Sequence, residues 1–270
     1  MGTSQSKPDS RPGMQLIPPH ADQDPQPCED GPLHPPPEGN SVSDTEVPVS
    51  LTISIPSGRF KGFRTSLGRY VGSGDGADAR SALGHWARSA GGSAKVGRAV
   101  RAGGALFGAL AAASTGQTGG TFDFRSLQGL PVNAAIDRIV DVFCPSGILD
   151  EDLIRITIGQ ALNEALQGQD TFDVNAVDGH AINVAILAFV AELVFVTVMG
   201  DAGEALAKAP NQLAAVQREA EIREISKIVT DIVGTPIIQQ MQSHGQITPE
   251  EISRVVARLI DAVQGEMRTW

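Results

Sequence analysis

Aromatic residues are scarce in this sequence, at 4% of 270 residues, with one Tyr and two Trp. A core built from it must be aliphatic and rich in small residues rather than assembled around large rings. Cysteine is scarcer still. Cys28 and Cys144 form no Cys-x-x-Cys pair and neighbour no histidine at metal-ligand spacing, which argues against a disulfide framework or a zinc site. That usage fits a reducing cytoplasm. Met1 to Gln15 is polar and lacks the apolar run of a secretory signal, so a cytoplasmic location is expected. Positive charge is in deficit, with 21 Lys and Arg against 31 Asp and Glu and a net charge of −10. The chain as a whole therefore has no pull towards nucleic acid or membrane.

Catalytic motifs are missing too. There is no His-Glu-x-x-His and no Gly-x-Ser-x-Gly. The cluster Gly72-Ser73-Gly74-Asp75-Gly76 has the glycines of a phosphate loop but not the Lys-Ser/Thr pair that must follow them. Ala77-Asp78 stands there instead and Asp75 would repel an anion, so the cluster reads as a turn before a helix. The five histidines are dispersed, and His85 beside Trp86 is the most site-like. Glu192, inside an apolar helix, is either a carboxyl with a raised pKa or one relieved by an Arg or Lys of the basic segment or by solvent access. No catalytic residue, metal site or cofactor is expected, and the residues read as those of a non-enzyme.

What is present divides into three parts by charge. Residues 1–58 carry two basic and eight acidic residues, residues 59–101 nine basic and two acidic, and residues 102–270 ten basic and twenty-one acidic. The basic middle is either neutralised within the fold or a docking surface for an acidic partner. Residues 1–46 hold ten of the seventeen prolines and no apolar period, so a disordered, proline-rich arm is expected. Val47, Val49, Leu51, Ile53 and Ile55 then alternate with polar residues, the pattern of a half-buried strand within an extended segment over 47–58. No second strand follows, so it either packs along a helical groove or adds to a partner's sheet, with Leu51 and Ile53 as its contact residues.

From Arg59 onward the pattern is helical, giving a domain over 59–270 with a basic, glycine-rich part to residue 120 and an acidic body over 121–270. Helices are predicted at Ala77 to Ser89, Ala94 to Ala113, Val132 to Phe143, Asp150 to Leu166, Ile182 to Met199 and Gln212 to Ser243. Gly103, Gly104 and Gly108 predict a kink or close helix contact, and Gly234-Thr235-Pro236 a break or kink. Thr248, Pro249 and Glu251 form a capping box for the last helix. Ile182 to Met199 just reaches membrane-spanning length, but Asn183 and Glu192 interrupt it and no Lys or Arg anchors its ends. It reads as the central helix of a soluble bundle. The fold class expected is all-α, a bundle of about six or seven helices with a disordered arm and one isolated strand.

Met1-Gly2-Thr3-Ser4 followed by a proline-rich arm, and then RFKGFRTSLGRYVGSGDGADARSALGHWARSAGGSAKVGRAVRAGGALFGAL, resembles the QatB component of the bacterial Qat anti-phage system. The resemblance implies a non-catalytic partner or substrate within a set that also contains a predicted ATPase (QatA), a QueC-like enzyme (QatC) and a TatD-like nuclease (QatD). QueC enzymes activate a carboxylated deazaguanine with ATP and add an amine. The resemblance thus implies conjugation of a deazapurine to the N-terminus, at Gly2 once Met1 is removed, with Thr3 and Ser4 as neighbouring contacts. Gly2 has no side chain to hinder attack, and an α-amine of pKa about 8 is roughly one-tenth neutral at pH 7. The start also matches the myristoylation pattern Met-Gly-x-x-x-Ser, which is fortuitous in a bacterial cytoplasm. Partner-binding candidates in the basic segment are Arg59, Phe60, Lys61, Phe63, Arg64, Arg69, Tyr70, His85 and Trp86. The alternative is a nucleic-acid-binding or toxic effector protein that uses residues 59–101, with those aromatics stacking on bases.

Overall fold

The structure, a computed structural model, describes residues 58–116, 122–144, 146–147, 150–242 and 248–270. The chain divides into two units, Met1–Thr52 and Ile53–Trp270, and all described residues belong to the second. The expected arm, Gly2 with Thr3 and Ser4, and the Val47–Ile55 strand with Leu51 and Ile53 lie outside the described residues.

Among the described residues there are eight α-helices and no sheet: α1 (Lys61–Ser73), α2 (Gly76–Ser89), α3 (Gly97–Ser114), α4 (Val132–Phe143), α5 (Glu151–Ala165), α6 (Gly179–Ala202), α7 (Gln212–Gln242) and α8 (Pro249–Arg268). The all-α expectation is met. Seven of the eight match predicted helices to within a few residues. The additional one is α1, which buries Phe63, Leu67, Tyr70 and Val71 at helical spacing beneath exposed basic residues. Gly74, at φ 78°, ends it, and the side chain of Asp75 then caps α2 by accepting from the Ala77 N–H at 2.9 Å. The glycine cluster is thus a helix–helix turn.

α6 organises the bundle because it has no polar side to give to solvent. Phe189 through Phe195 are buried one after another, about two full turns. By length and composition α6 is apolar enough to cross a membrane, yet here α1, α3, α5, α7 and α8 pack around it. Its start is fixed by Asp178, which accepts from the Ala181 N–H at 2.8 Å.

The glycines of α3 mark close approaches, as one of the two sequence readings expects. A Cβ on Gly103 would lie 2.8 Å from the ring of Phe189 on α6, and one on Gly108 would lie 2.8 Å from Cα of Pro249 at the start of α8. α8 begins there with the expected capping box, in which Thr248 Oγ1 accepts from the Glu251 N–H at 3.2 Å and Glu251 Oε2 accepts from the Thr248 N–H at 2.8 Å. At Gly234-Thr235-Pro236 the helix does not break: α7 runs unbroken from Gln212 to Gln242. Packing holds it there, for a Cβ on Gly234 would meet Leu187 of α6 at 2.5 Å and Leu259 of α8 at 3.2 Å. Thr235 Oγ1 also donates to the Asp231 carbonyl at 2.7 Å, one turn back.

Two substitutions separate close packing from helix propensity. Gly159 lies inside α5 with nothing within 4 Å of the place a Cβ would take, so Gly159→Ala should stabilise by about 1 kcal/mol. Gly108→Ala gains the same propensity but drives a methyl into the backbone of Pro249, and a net loss of about 1–3 kcal/mol is expected. Paired urea melts of the two variants check the opposite signs.

Candidate functional site around Asp201

The last carbonyls of a helix lack intrahelical donors and carry the negative end of its dipole, so the end of α6 attracts cations. Arg64 of α1 donates from Nε to the Asp201 carbonyl at 2.9 Å. Lys95, in a 3-10 turn over Ser93–Val96, donates from Nζ to Asp201 Oδ1 at 3.1 Å and Oδ2 at 2.8 Å. The buried Trp86 of α2 donates its indole N–H to Oδ2 at 3.0 Å. One residue, Asp201, thereby joins α1, α2, the 93–96 turn and α6. Phe60 sits beside the knot, with Lys95 Nζ 5.2 Å and Arg59 Cζ 5.4 Å from its ring centre. Arg59 is itself held by donating from Nε to the Ser89 carbonyl at 2.7 Å.

A second knot joins α1 to α7. The Tyr70 hydroxyl donates to Glu221 Oε2, and Arg218 Nη1 reaches both Glu221 oxygens at 2.9 Å. Burial, and then the hydrogen bond to Glu221, push the Tyr70 hydroxyl well above its usual pKa. The same bond, followed by the Arg218 contacts, outweighs partial burial and holds the Glu221 carboxyl below its usual range. A third joins α6 to α7: buried Glu192 is paired with Arg223, whose guanidinium carbon lies 3.9 Å from the ring centre of Phe195. The sequence reading looked to the basic segment for such a partner; the Arg comes instead from α7.

The sequence-derived candidates fall into two groups. Phe60, Phe63, Tyr70 and Trp86 are buried in the core, while Arg59, Lys61, Arg64, Arg69 and His85 are exposed. His85 packs over Gly62, where a Cβ would lie 3.2 Å from its Nδ1. Arg69 pairs with Asp78 at 3.4 Å, and Lys95 and Arg98 pair with Asp201 and Asp150 of the acidic body. The basic segment is thus partly neutralised within the fold. Asp201, Lys95, Arg218 and Glu221 were not singled out from sequence: Arg218 and Glu221 pair locally three residues apart on α7, but the contacts of Glu221 with Tyr70 and of Asp201 with Lys95 and Trp86 are tertiary. Among the described residues, no three His, Cys, Asp or Glu side chains are grouped to hold a metal ion. The groups in these knots join helices, and two of their atoms, Glu192 Oε1 and Arg218 Nε, are buried without a hydrogen-bond partner among the described residues.

A family model described as Qat anti-phage system associated protein QatB matches residues 88–265, which is 178 of the 270 residues. The chain belongs to the QatB family. It is accordingly a component of an anti-phage defence system. The match covers Lys95, Asp201, Arg218 and Glu221 and begins just after Trp86. No curated protein and no solved structure matches.

In this QatB family member, Tyr70→Phe should cost about 1–2 kcal/mol near neutral pH, because Glu221 loses a buried donor. Glu221 has a depressed folded-state pKa, so its contribution is present above the ordinary value of 4.5 and is lost as the pH falls through the depressed one. The stability difference between wild type and Tyr70→Phe should therefore shrink on acidification, read from melts at pH 7 down to pH 3. Asp201→Ala should cost more, about 2–4 kcal/mol, since it strands the Trp86 N–H and the Lys95 charge together. Asp201→Asn, which keeps an acceptor, should recover part of that loss in the same melts.

Proposed function

We propose that this QatB family member is a non-catalytic partner of the QueC-like enzyme QatC and the acceptor of an N-terminal modification at Gly2. The observation that carries the non-catalytic reading is where the polar side chains of the basic segment are spent. Arg59, Arg64, Tyr70 and Trp86 each hold one element against another, through Ser89, Asp201, Glu221 and Asp201. Such a body is a rigid mount rather than a reaction vessel. Membership of the Qat system supports partners within that system, and the cytoplasm is where phage replication would be met. The QatA ATPase and the QatD nuclease are the other expected contacts.

In this reading the Gly2 α-amine attacks a carboxyl group of a deazapurine that QatC has activated with ATP. A carbon–nitrogen bond forms, the activating group leaves, and the amine proton passes to solvent. Thr3 and Ser4 accompany Gly2 into the enzyme. Leu51 and Ile53 serve as docking residues, and the exposed Lys61, Arg69 and His85 offer a contact surface on α1 and α2. The burial of Phe60, Phe63, Tyr70 and Trp86 leaves those rings unavailable for stacking on bases, which weighs against the nucleic-acid alternative.

Intact mass of the protein co-expressed with its Qat partners tests the proposal. The expected result is loss of Met1 and an added mass confined to the N-terminal peptide, abolished by Gly2→Pro or by an N-terminal tag while the helical body still melts cooperatively. A Gly2 that stays unmodified in protected cells, or full protection with a blocked N-terminus, overturns the modification and leaves the partner role.

A further inference from the structure

Among the described residues six large hydrophobic side chains stand exposed, and four of them are on α7: Leu213 at 78%, Val216 at 58%, Ile228 at 47% and Ile232 at 67%. At about 100° per residue these four fall on one side of the helix, opposite the buried Ile222, Ser226, Val229 and Thr230. Leu213 and Val216 form one apolar pair, Ile228 and Ile232 another. They bracket a length of about 28 Å, that of a helix of roughly eighteen to twenty residues.

The charges on α7 are distributed unevenly. Its three cations are all engaged: Arg218 with Glu221 at 2.9 Å, Arg223 with Glu192, and Lys227 with Glu164 of α5 at 2.6 Å. Glu219, Glu224 and Asp231 form no ion pair among the described residues. Glu224 and Asp231 share the outward side with the two apolar pairs. Partial burial, with Glu164 and Glu224 nearby, outweighs the pull of Lys227 and holds the Asp231 carboxyl above its usual range. Pro236, lacking an N–H, also gives no donor to the Ile232 carbonyl at the same end. The outward face therefore combines apolar side chains with unpaired negative charge.

We infer that this face of α7 docks a basic amphipathic helix of a partner protein. The apolar side of that helix lies on Leu213, Val216, Ile228 and Ile232, and its Lys or Arg side chains meet Glu224 and Asp231. A second copy of the same face is a poorer occupant. It would set Glu224 and Asp231 against a face that carries the same two carboxylates and whose α7 cations are already engaged. An anionic lipid surface is repelled by the same carboxylates. The inference does not depend on the chemistry at Gly2.

The probe is a fluorescein-labelled peptide of about eighteen residues with Leu at helical spacing and Lys elsewhere, paired with a Leu/Glu counterpart. Fluorescence anisotropy with the full chain should show binding of the Lys peptide alone, weakened as salt rises. The double variant Ile228→Ser with Ile232→Ser should weaken binding by about tenfold or more, as should Glu224→Lys with Asp231→Lys. The substituted side chains are exposed, so melting should stay unchanged and the loss is read as loss of the surface. Gly2→Pro should bind normally, which separates this failure from failure of the modification proposal. Two results overturn the inference. One is an equal loss on Glu250→Lys with Glu266→Lys, both on α8, which would mean non-specific attraction. The other is sedimentation showing a dimer that Ile232→Asp dissolves, which would assign the face to a second copy.

Discussion

A helix with no polar side has to be covered on all sides, and α6 imposes that requirement on the rest of the bundle. Its run from Phe189 to Phe195 is buried without a break, and five other helices are arranged to achieve this. Each fully buried Val, Leu, Ile or Phe contributes about 1.5–3 kcal/mol against exposure, so the cover is strongly driven. Burial does not say how the cover is oriented. Orientation comes from the few polar groups that cannot be left dry and unpaired: Glu192 in the middle of α6 and Asp201 at its end.

These groups explain why a chain so short of aromatic residues spends them as it does. Trp86 and Tyr70 each bury a ring and present one N–H or O–H, and each donor is met by a carboxylate from a distant part of the chain. The pairings run from α1 and α2 to α6 and α7, so the basic N-terminal part and the acidic body are joined by opposite charge as well as by packing. Of the two sequence readings of the basic segment, neutralisation within the fold and a docking surface, the first describes in good part how the bundle closes. QatB family membership is consistent with such a body serving other proteins of its defence system.

Much of this was legible in the sequence wherever the signal is local. Val132 to Phe143 is α4 to the residue, and Thr248-Pro249-Glu251 states the start of α8 chemically. The glycines of α3 announced a kink or close contact, and the second holds, but they did not name Phe189 or Pro249 as the neighbours. Two readings fell short for physical reasons. α1 carries its apolar residues between Lys61, Arg64 and Arg69, and the density of charge there masks the spacing of Phe63, Leu67 and Tyr70. Gly234-Thr235-Pro236 predicts a break or kink on local grounds; the break does not occur, since contacts of Gly234 with α6 and α8 outweigh the missing hydrogen bond. Asp201 was beyond local reading, because its partners lie more than 100 residues away in the chain.

The anchoring of Arg59 and Phe60 has a mechanical side. Tension applied at Gly58 reaches the bundle at Arg59, whose guanidinium bonds the last carbonyl of α2, and at Phe60, whose ring centre lies 5.4 Å and 5.2 Å from two cations. The load passes to Lys95 and Asp201, and from there into α6, the most deeply set helix of the fold. A load entering α1 at such a point is met by side-chain contacts to other elements before it can unwind the helix turn by turn.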